Sequence, residues 1–285
     1  MLSIIHEKAW SKEPLKQICE PVAQAEAHPR GKDMIDMVSN KWLLFPMPNP
    51  AAALRLFCFH YAGGVAQVFY DWPGRLPPSV EVVAIQLPGR GQRFYEPHIR
   101  RLVPLSRVIA QELLPYLDKP FVFFGHSLGA LLCFETARSL RRENRRQPAH
   151  LFVSATEAPH RRVIDESLSD LPKSELVKKL REFNGTPVEV LQSDELMDMM
   201  LPTIRADFEL SESYEYHPES PLECPITIYG GIDDYEVDAE RLAAWSEMSV
   251  GACEIRMIPG DHFYIDSSRA IFLQTFAGDL LRLRL

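Results

Sequence analysis

The sequence predicts an α/β fold with a mostly parallel central sheet that is covered by helices on both faces. Short runs of β-branched and aromatic residues alternate with longer segments of helical periodicity. Strands that are apolar throughout are typical of parallel sheets, because both of their faces are buried. A chain of 285 residues, 46% of them hydrophobic, is long enough to bury such a sheet. The predicted strands are 54–59, 81–86, 121–124, 150–155, 225–230 and 253–258.

Composition and charge disfavour several classes of protein. The formal net charge of -8 argues against a nucleic-acid partner, which needs many lysine and arginine contacts to phosphate. Five cysteines without C-x-x-C spacing are expected to be reduced thiols, and we predict no metal site. No apolar stretch approaches the roughly 18 residues of a membrane span, and the first residues lack the apolar core of a signal peptide. We therefore expect a cytoplasmic monomer without a membrane partner.

A helical insertion interrupts the alternation before the fifth predicted strand. Roughly 65 residues separate 150–155 from 225–230, where a crossover needs only about 12. Within them, Met197, Met200 and Phe208 follow one face of a helix. The insertion is expected to lie over the carboxyl edge of the sheet, where open α/β sheets bind ligands, and to form a lid.

Two further boundaries follow from local sequence. Ser169 and Asp170 precede the segment LPKSELVKKLREF and are expected to supply the N-cap of an earlier helix, which Asn184 and Gly185 are expected to end. Residues 1–41 mix charges and prolines without sustained periodicity. We interpret them as an N-terminal extension of unknown role.

A G-x-S-x-G motif occurs once, at 125–129, between the apolar run 121–124 and a helical segment. In a nucleophile elbow, the serine occupies a sharp turn from a strand into a helix, and the glycines leave out Cβ atoms where the turn is tightest. Because the strand and the helix are both present, Ser127 is predicted to be a nucleophile. The alternative is a small residue in a buried corner.

His262 is the candidate base for Ser127. A serine hydroxyl needs a base that takes its proton and a carboxylate that orients this base, in the order serine, acid, histidine along the chain. Of nine histidines, only His262 lies in a loop directly after the last predicted strand. The acid is expected in the loop after 225–230, where Asp233 and Asp234 both qualify and local physics does not choose between them.

Two backbone amides are candidates for the oxyanion hole. One is the N–H group of Leu128, the residue after the nucleophile. The other is expected in the loop after an early strand, and the strand 54–59 is followed by Ala62-Gly63-Gly64. We predict the Ala62 N–H group as the second donor, whereas the alternative is that the glycines only form a turn.

Six blocks of sequence occur in a family-specific order: RLFCFHYAGG (55–64), VVAIQLPGRGQRFYEP (82–97), FFGHSLGALLCFETAR (123–138), LPTIRADFELSESYEY (201–216), CPITIYGGIDDYEV (224–237) and IPGDHFY (258–264). Together they resemble the type II thioesterases of polyketide and nonribosomal peptide synthesis, a branch of the α/β-hydrolases.

The resemblance covers roughly residues 42–285 and implies an α/β-hydrolase domain with a helical lid at approximately 161–222. The family's D-x-x-V pattern matches Asp234, which makes Asp234 the implied acid and leaves Asp233 as the alternative. His60 stands where the family usually has proline.

The resemblance also implies a reaction. Such an enzyme hydrolyses acyl thioesters on the phosphopantetheine arm of acyl or peptidyl carrier protein domains, needs no cofactor of its own, and edits misacylated synthases. Met197, Met200 and Phe208 would line an adaptable acyl pocket. The alternatives are a chain-releasing thioesterase for medium or long acyl chains, and a catalytically silent scaffold with a hydrolase fold.

Four arginines lie in the segment RRENRR (141–146), at the end of the helical segment that follows the elbow. The favoured interpretation is that they are solvated charges that complement the C-terminus of that helix. The alternative is a docking patch for an acidic carrier protein.

Overall fold

The computed structural model describes residues 40–164 and 166–283, so that most of the predicted extension lies outside the described residues. Within these ranges, seven strands form one sheet in the order β1-β3-β2-β4-β5-β6-β7. The strands are β1 (Leu43–Leu44), β2 (Leu54–Phe59), β3 (Val80–Ile85), β4 (Phe121–His126), β5 (Leu151–Ser154), β6 (Ile226–Gly231) and β7 (Cys253–Ile258).

The strand β1 runs antiparallel to β3, and the other neighbours pair in parallel. The predicted α/β fold with a mostly parallel sheet is therefore confirmed. All six predicted strands are present, and their ends differ from the prediction by at most about two residues, the ordinary disagreement between assignments of element ends. The two-residue edge strand β1 was not predicted.

Helices cover both faces of the sheet. The α-helices are α1 (Leu102–Leu113), α2 (Leu128–Arg142), α3 (Lys173–Phe183), α4 (Val188–Leu191), α5 (Asp194–Glu212), α6 (Ala239–Ala243), α7 (Tyr264–Ser267) and α8 (Arg269–Arg282). Alternate residues of each central strand face opposite sides, as the pleat requires. Phe57 and Phe123 pack in the cluster with α1 and α2, whereas Phe124 packs in the cluster with Phe272 and Phe276 of α8.

The insertion between β5 and β6 has a hydrophobic cluster of its own. Leu176 and Leu180 of α3, Leu191 of α4, and Leu201 and Ile204 of α5 are buried together. Because this cluster is separate from the two that sandwich the sheet, the insertion is a small layer that packs its own apolar side chains.

The start of α3 differs from the prediction. The helix begins at Lys173 with Pro172 in the N-cap position, so the predicted N-cap of Ser169 and Asp170 is wrong. Ser169 instead donates its backbone N–H and its hydroxyl to the Glu212 carboxylate of α5. These hydrogen bonds join the turn before α3 to the end of α5. The end of α3 is confirmed, since Asn184 adopts a left-handed conformation with φ 58°.

Arg141 and Arg142 are ion-paired within the protein. Arg141 donates to the Glu219 carboxylate and to the carbonyl groups of 220 and 221, and Arg142 binds Glu219 and the buried Glu135. These two arginines hold the segment that returns from α5 to the sheet. Two of the four arginines of this segment are thus paired with carboxylates at the surface, and Arg142 remains exposed. The two interpretations of the segment, solvated charges or a docking patch, stay predictions.

The described cysteines are free thiols, and three of them are buried: Cys58, Cys133 and Cys224. In the described part of the chain, no helix has the length and apolar character that crossing a membrane requires.

Candidate active site

Ser127 lies at the turn from β4 into α2, in strained backbone geometry. Its φ of 53° and ψ of -118° lie outside the regions that L-residues prefer. The two glycines of the motif are sterically required, because a Cβ atom on Gly125 would lie 2.1 Å from the Gly129 carbonyl oxygen, and one on Gly129 would lie 2.1 Å from that of Phe59. A backbone hydrogen bond from Ser127 to the Ser154 carbonyl, 2.8 Å long, ties the elbow to β5.

His262 and Asp234 form a hydrogen-bonded pair. The His262 Nδ1 atom lies 2.9 Å from Asp234 Oδ2, and the Asp234 carboxylate is fully buried. The other oxygen of this carboxylate accepts the backbone N–H groups of Glu236 at 2.9 Å and Val237 at 3.3 Å. The carboxylate is therefore held from two sides, and the His262 Nε2 atom is left for a different partner.

Of the two candidate acids, only Asp234 contacts the histidine. Asp233 is exposed, and its backbone N–H donates to the Gly260 carbonyl. Adjacent residues of the loop point in different directions. The sequence alone therefore left both aspartates as candidates, whereas in the structure only Asp234 is paired with His262.

Ser127 and His262 line the same cavity. Within the described ranges, no hydrogen bond joins the Ser127 hydroxyl to His262, whose ring faces this cavity. Contacts between a nucleophile and its base are often long before substrate binds and shorten in the reacting complex. The arrangement can bring a substrate carbonyl, the serine and the imidazole together.

His126, the residue before the serine, lies beneath the site and remains neutral. Its ring is fully buried, its Nδ1 atom is 2.8 Å from Ser154 Oγ, and its centroid is 5.5 Å from that of His262. Burial first, and the proximity of His262 second, hold the pKa of His126 well below its usual range. Because His126 stays neutral, it does not repel the positive charge that forms on His262 during the reaction.

The predicted oxyanion donors face the same cavity. Ala62 and Leu128 both line it, and neither backbone N–H is bound to another described residue. The next amide, that of Gly63, is occupied, because it donates to Asp207 Oδ2 at 2.7 Å. The Gly64 amide donates to the Tyr61 carbonyl at 3.0 Å, so the glycines do form a turn. Ala62 is consequently the residue of this loop whose N–H is available.

The cavity has a volume of about 360 Å³ and lies between the sheet and the insertion. The insertion supplies Leu180 and Phe183 from α3 and Phe208 from α5. Phe208 thus lines the cavity as expected, but Met197 and Met200 do not, since both pack in the internal cluster of the insertion. The helical face that the sequence predicts is real, and most of it is turned toward α3 and α4.

Sequence reasoning missed several cavity residues. Tyr61 and Phe263 lie beside the serine and the histidine, and Arg162, Lys179 and Glu236 add charge to the wall. Tyr61 and Phe263 do lie within the quoted blocks, next to candidate residues, which was the only available signal. Arg162 and Lys179 lie in the insertion without any motif. Among the described residues, no group of three or more His, Cys, Asp or Glu side chains has the arrangement of a metal site.

The sheet order and the position of the elbow at the end of β4 define the class of the protein, an α/β-hydrolase. Comparison with known proteins then gives its family. A model of the thioesterase domain family matches residues 54–279, and the chain belongs to that family. It is a thioester hydrolase.

Three similar proteins illustrate the family. The gramicidin S biosynthesis protein GrsT of Aneurinibacillus migulanus is 43% identical over 230 residues, which are 81% of this chain and 90% of that protein. The human medium-chain S-acyl fatty acid synthase thioesterase is 35% identical over 225 residues, 76% of this chain and 83% of that protein. The solved structure of RedJ, a thioesterase from the prodiginine pathway of Streptomyces coelicolor, is 35% identical, with a TM-score of 0.78 over 91% of this chain and 96% of RedJ.

Proposed function

We propose that this enzyme removes acyl groups from the phosphopantetheine arm of acyl or peptidyl carrier protein domains, and so edits misacylated polyketide or nonribosomal peptide synthases. The observation that carries the proposal is the pairing of Asp234 with His262 at the cavity that also contains the elbow serine. Similarity to GrsT and to RedJ, proteins of two biosynthetic pathways, supports a synthase as the source of the substrate.

Acylation would begin at Ser127. The His262 Nε2 atom takes the hydroxyl proton as the oxygen attacks the thioester carbonyl carbon, and Asp234 stabilises the imidazolium that forms. The backbone N–H groups of Leu128 and Ala62 would bind the oxyanion of the tetrahedral intermediate. Collapse of this intermediate breaks the C–S bond, and the leaving thiolate takes the proton from His262. The products are the free arm and an acyl ester on Ser127.

Deacylation would use the same groups in the same order. His262 removes a proton from water, the resulting hydroxide attacks the ester carbonyl, and the same amides bind the second oxyanion. The Ser127 oxygen then leaves with the proton from His262, which releases the carboxylic acid. No step requires a cofactor of the enzyme, because the substrate carries the phosphopantetheine. We propose that the enzyme acts as a monomer in the cytoplasm.

A second candidate is release of medium-length fatty acyl chains. The observation that favours it is the 35% identity to the human medium-chain fatty acid synthase thioesterase. The two candidates share the chemistry and differ in the acyl chain that the cavity accepts. Apolar side chains at Leu180, Phe183 and Phe208 suit either a short chain or part of a longer one.

A series of acyl-carrier proteins separates the two candidates. Purified protein is offered carrier-bound acetyl, propionyl, hexanoyl and decanoyl groups, with Ser127→Ala as the inactive control. Editing predicts faster release of the short groups. The editing proposal is falsified if long acyl chains are cleaved far faster than acetyl or propionyl.

The choice of acid has its own test. Asp234→Asn is expected to lower kcat by roughly 10⁴-fold, the loss seen when the equivalent aspartate of a serine protease triad is replaced, because the imidazole is then held in the wrong tautomer. Asp233→Asn, an exposed neighbour, is expected to retain activity within about twofold. A larger loss with Asp233→Asn than with Asp234→Asn would overturn the assignment.

A further inference from the structure

Asp207 is a fully buried carboxylate on α5 that the mechanism above does not use. Its two oxygens accept a bidentate pair of hydrogen bonds from the Arg90 guanidinium, at 2.6 Å and 2.7 Å. One of these oxygens also accepts the Gly63 N–H at 2.7 Å. A buried carboxylate is retained only where its charge and its lone pairs are satisfied, and here they are satisfied by the loop beside the elbow.

Arg90 binds this same loop as well as the carboxylate. Its guanidinium donates to the Gly64 carbonyl at 3.2 Å, and the residue is itself buried. Gly63 adopts φ +73°, and a Cβ atom there would lie 3.2 Å from Ile204 of α5. The loop from Ala62 to Gly64 is thus hydrogen-bonded to the Arg90–Asp207 pair and packed against α5, the helix that carries Asp207.

The consequence for Ala62 follows from peptide geometry. The Gly63 N–H belongs to the planar peptide unit that begins at the Ala62 carbonyl, so a hydrogen bond to this N–H sets the orientation of that plane. The Ala62 N–H is separated from the plane by only two rotatable bonds. An oxyanion donor must lie 2.7–3.1 Å from the developing charge, and small rotations of the loop would move it out of that range.

We propose that Asp207 is a positioning residue for the oxyanion hole, which acts through Gly63 to aim the Ala62 N–H at the substrate oxygen. The inference rests on the proposed function, because it assigns a supporting residue to the same site. It also links two parts of the enzyme. Since Asp207 lies on α5, a helix that lines the substrate cavity also positions a donor of the oxyanion hole.

The test compares Asp207→Asn with Glu209→Gln. Glu209 lies two residues further along α5 and also pairs with arginines, but it is partly exposed and does not contact the loop of Ala62. With a small soluble substrate such as propionyl-pantetheine, Asp207→Asn is expected to lower kcat by about 10- to 100-fold while KM stays within about threefold. Glu209→Gln is expected to match the wild type. Titration with a fluorophosphonate gives the concentration of folded sites for each variant.

A boronic acid provides the readout that a purely structural role would not change. An alkyl boronate adds to the serine and places a negatively charged oxygen in the oxyanion hole, whereas a thioether analogue of the substrate does not. Asp207→Asn should weaken inhibition by the boronate by the same factor as kcat/KM and leave inhibition by the thioether within about threefold. If Asp207→Asn does not fold, Arg90→Lys is used, with a smaller parallel loss in both quantities expected.

The possible outcomes are distinguishable. If kcat per titrated site and boronate inhibition are unchanged in Asp207→Asn, or in Arg90→Lys where that variant is used, the positioning role is wrong and the proposed function stands. If the wild type neither reacts with the fluorophosphonate nor hydrolyses propionyl-pantetheine, the proposed function itself has failed. A loss of boronate and thioether inhibition by equal factors would assign Asp207 to the shape of the cavity and would overturn the inference.

Discussion

The two long helices of the insertion face the same cavity but are attached to the body of the protein in different ways. α5 is attached by buried polar groups: Asp207 binds Arg90 and Gly63, and Thr203 donates to the Gly89 carbonyl at 2.8 Å. α3 is attached near its C-terminal end by contacts at the surface. Removing one partner of a buried charged pair costs about 3–5 kcal/mol, whereas surface polar contacts contribute about 0–1 kcal/mol each.

At the C-terminal end of α3, three contacts reach the loops that carry the candidate acid and base. The exposed Tyr235 hydroxyl donates to the Glu182 carbonyl at 3.0 Å, and Asn184 donates to the Asp261 carboxylate at 3.0 Å. Gly185 packs directly against the ring of Phe263, where a Cβ atom would lie 2.1 Å from the ring. The cavity therefore has two different walls. We call α5, which is attached next to the oxyanion loop, the anchored wall, and we call α3, which is attached next to His262, the lightly held wall.

The largest effect is expected from Arg90→Ala. This change leaves the Asp207 carboxylate buried without its cation, and we expect the free energy of unfolding to fall by about 3–5 kcal/mol. Denaturant titration followed by circular dichroism measures the loss. Arg101→Ala is the matched control, since Arg101 pairs with Glu209 of the same helix at the surface and should cost no more than about 1 kcal/mol. Equal losses of unfolding free energy in the two variants would show that the buried pair holds α5 no more strongly than a surface pair does.

Acid pH should lower the free energy of unfolding through His60, which lies near the Arg90–Asp207 pair. This residue is buried, its Nδ1 atom is 2.9 Å from the Tyr61 carbonyl oxygen, and burial together with the nearby Arg90 lowers its pKa to about 4. Because the unfolded pKa is about 6.5, the unfolded chain binds the proton more tightly. The stability that a neutral His60 contributes is complete above pH 6.5 and is lost as the pH falls toward 4.

The measurement compares the wild type with His60→Gln. The free energy of unfolding of the wild type should fall more steeply between pH 6.5 and 4, with a difference of up to about 3 kcal/mol between the two curves. His150, which is partly buried and has a pKa lowered to about 4, contributes equally to both proteins. Parallel curves would show that His60 does not make the free energy of unfolding depend on pH in this range.

A smaller effect is expected at the lightly held wall from Gly185→Ala. The new methyl group would collide with Phe263, and we expect a cost of about 1 kcal/mol, because the end of α3 can shift away. Gly74→Ala is the control, since nothing lies within 4 Å of its Cβ position. Hydrogen exchange should show faster exchange for α3 than for α5 in the wild type, and a further increase only for α3 in Gly185→Ala. Equal protection of both helices would contradict the comparison.

The sheet was predicted correctly from the sequence, and candidate catalytic residues could be named, because each depends on local pattern. Apolar runs located the six long strands, and the glycines around Ser127 located the elbow. His262 was identified by its place after the last strand, and the structure puts it against Asp234. The resemblance to a family, and not local physics, separated Asp234 from Asp233.

The anchored wall could not be predicted, since it depends on tertiary contacts. Arg90 and Asp207 are 117 residues apart, and nothing in either segment marks them as partners. The orientation of α5 could not be predicted for a similar reason. Its apolar face packs against α3 and α4, so Met197 is buried within the insertion. Of the three predicted lid residues, only Phe208 lines the cavity. Periodicity identifies a buried face but not the element that buries it.

In the proposed mechanism, Ser127 carries the acyl group between the carrier protein and water. Rapid mixing with propionyl-carrier protein, followed by acid quenching and mass spectrometry of the intact chain and its peptides, tests this directly. We expect a transient propionyl ester on the peptide that contains Ser127, which forms and decays at rates consistent with turnover. Full turnover by Ser127→Ala, or turnover by the wild type with the acyl group on another residue, would contradict it.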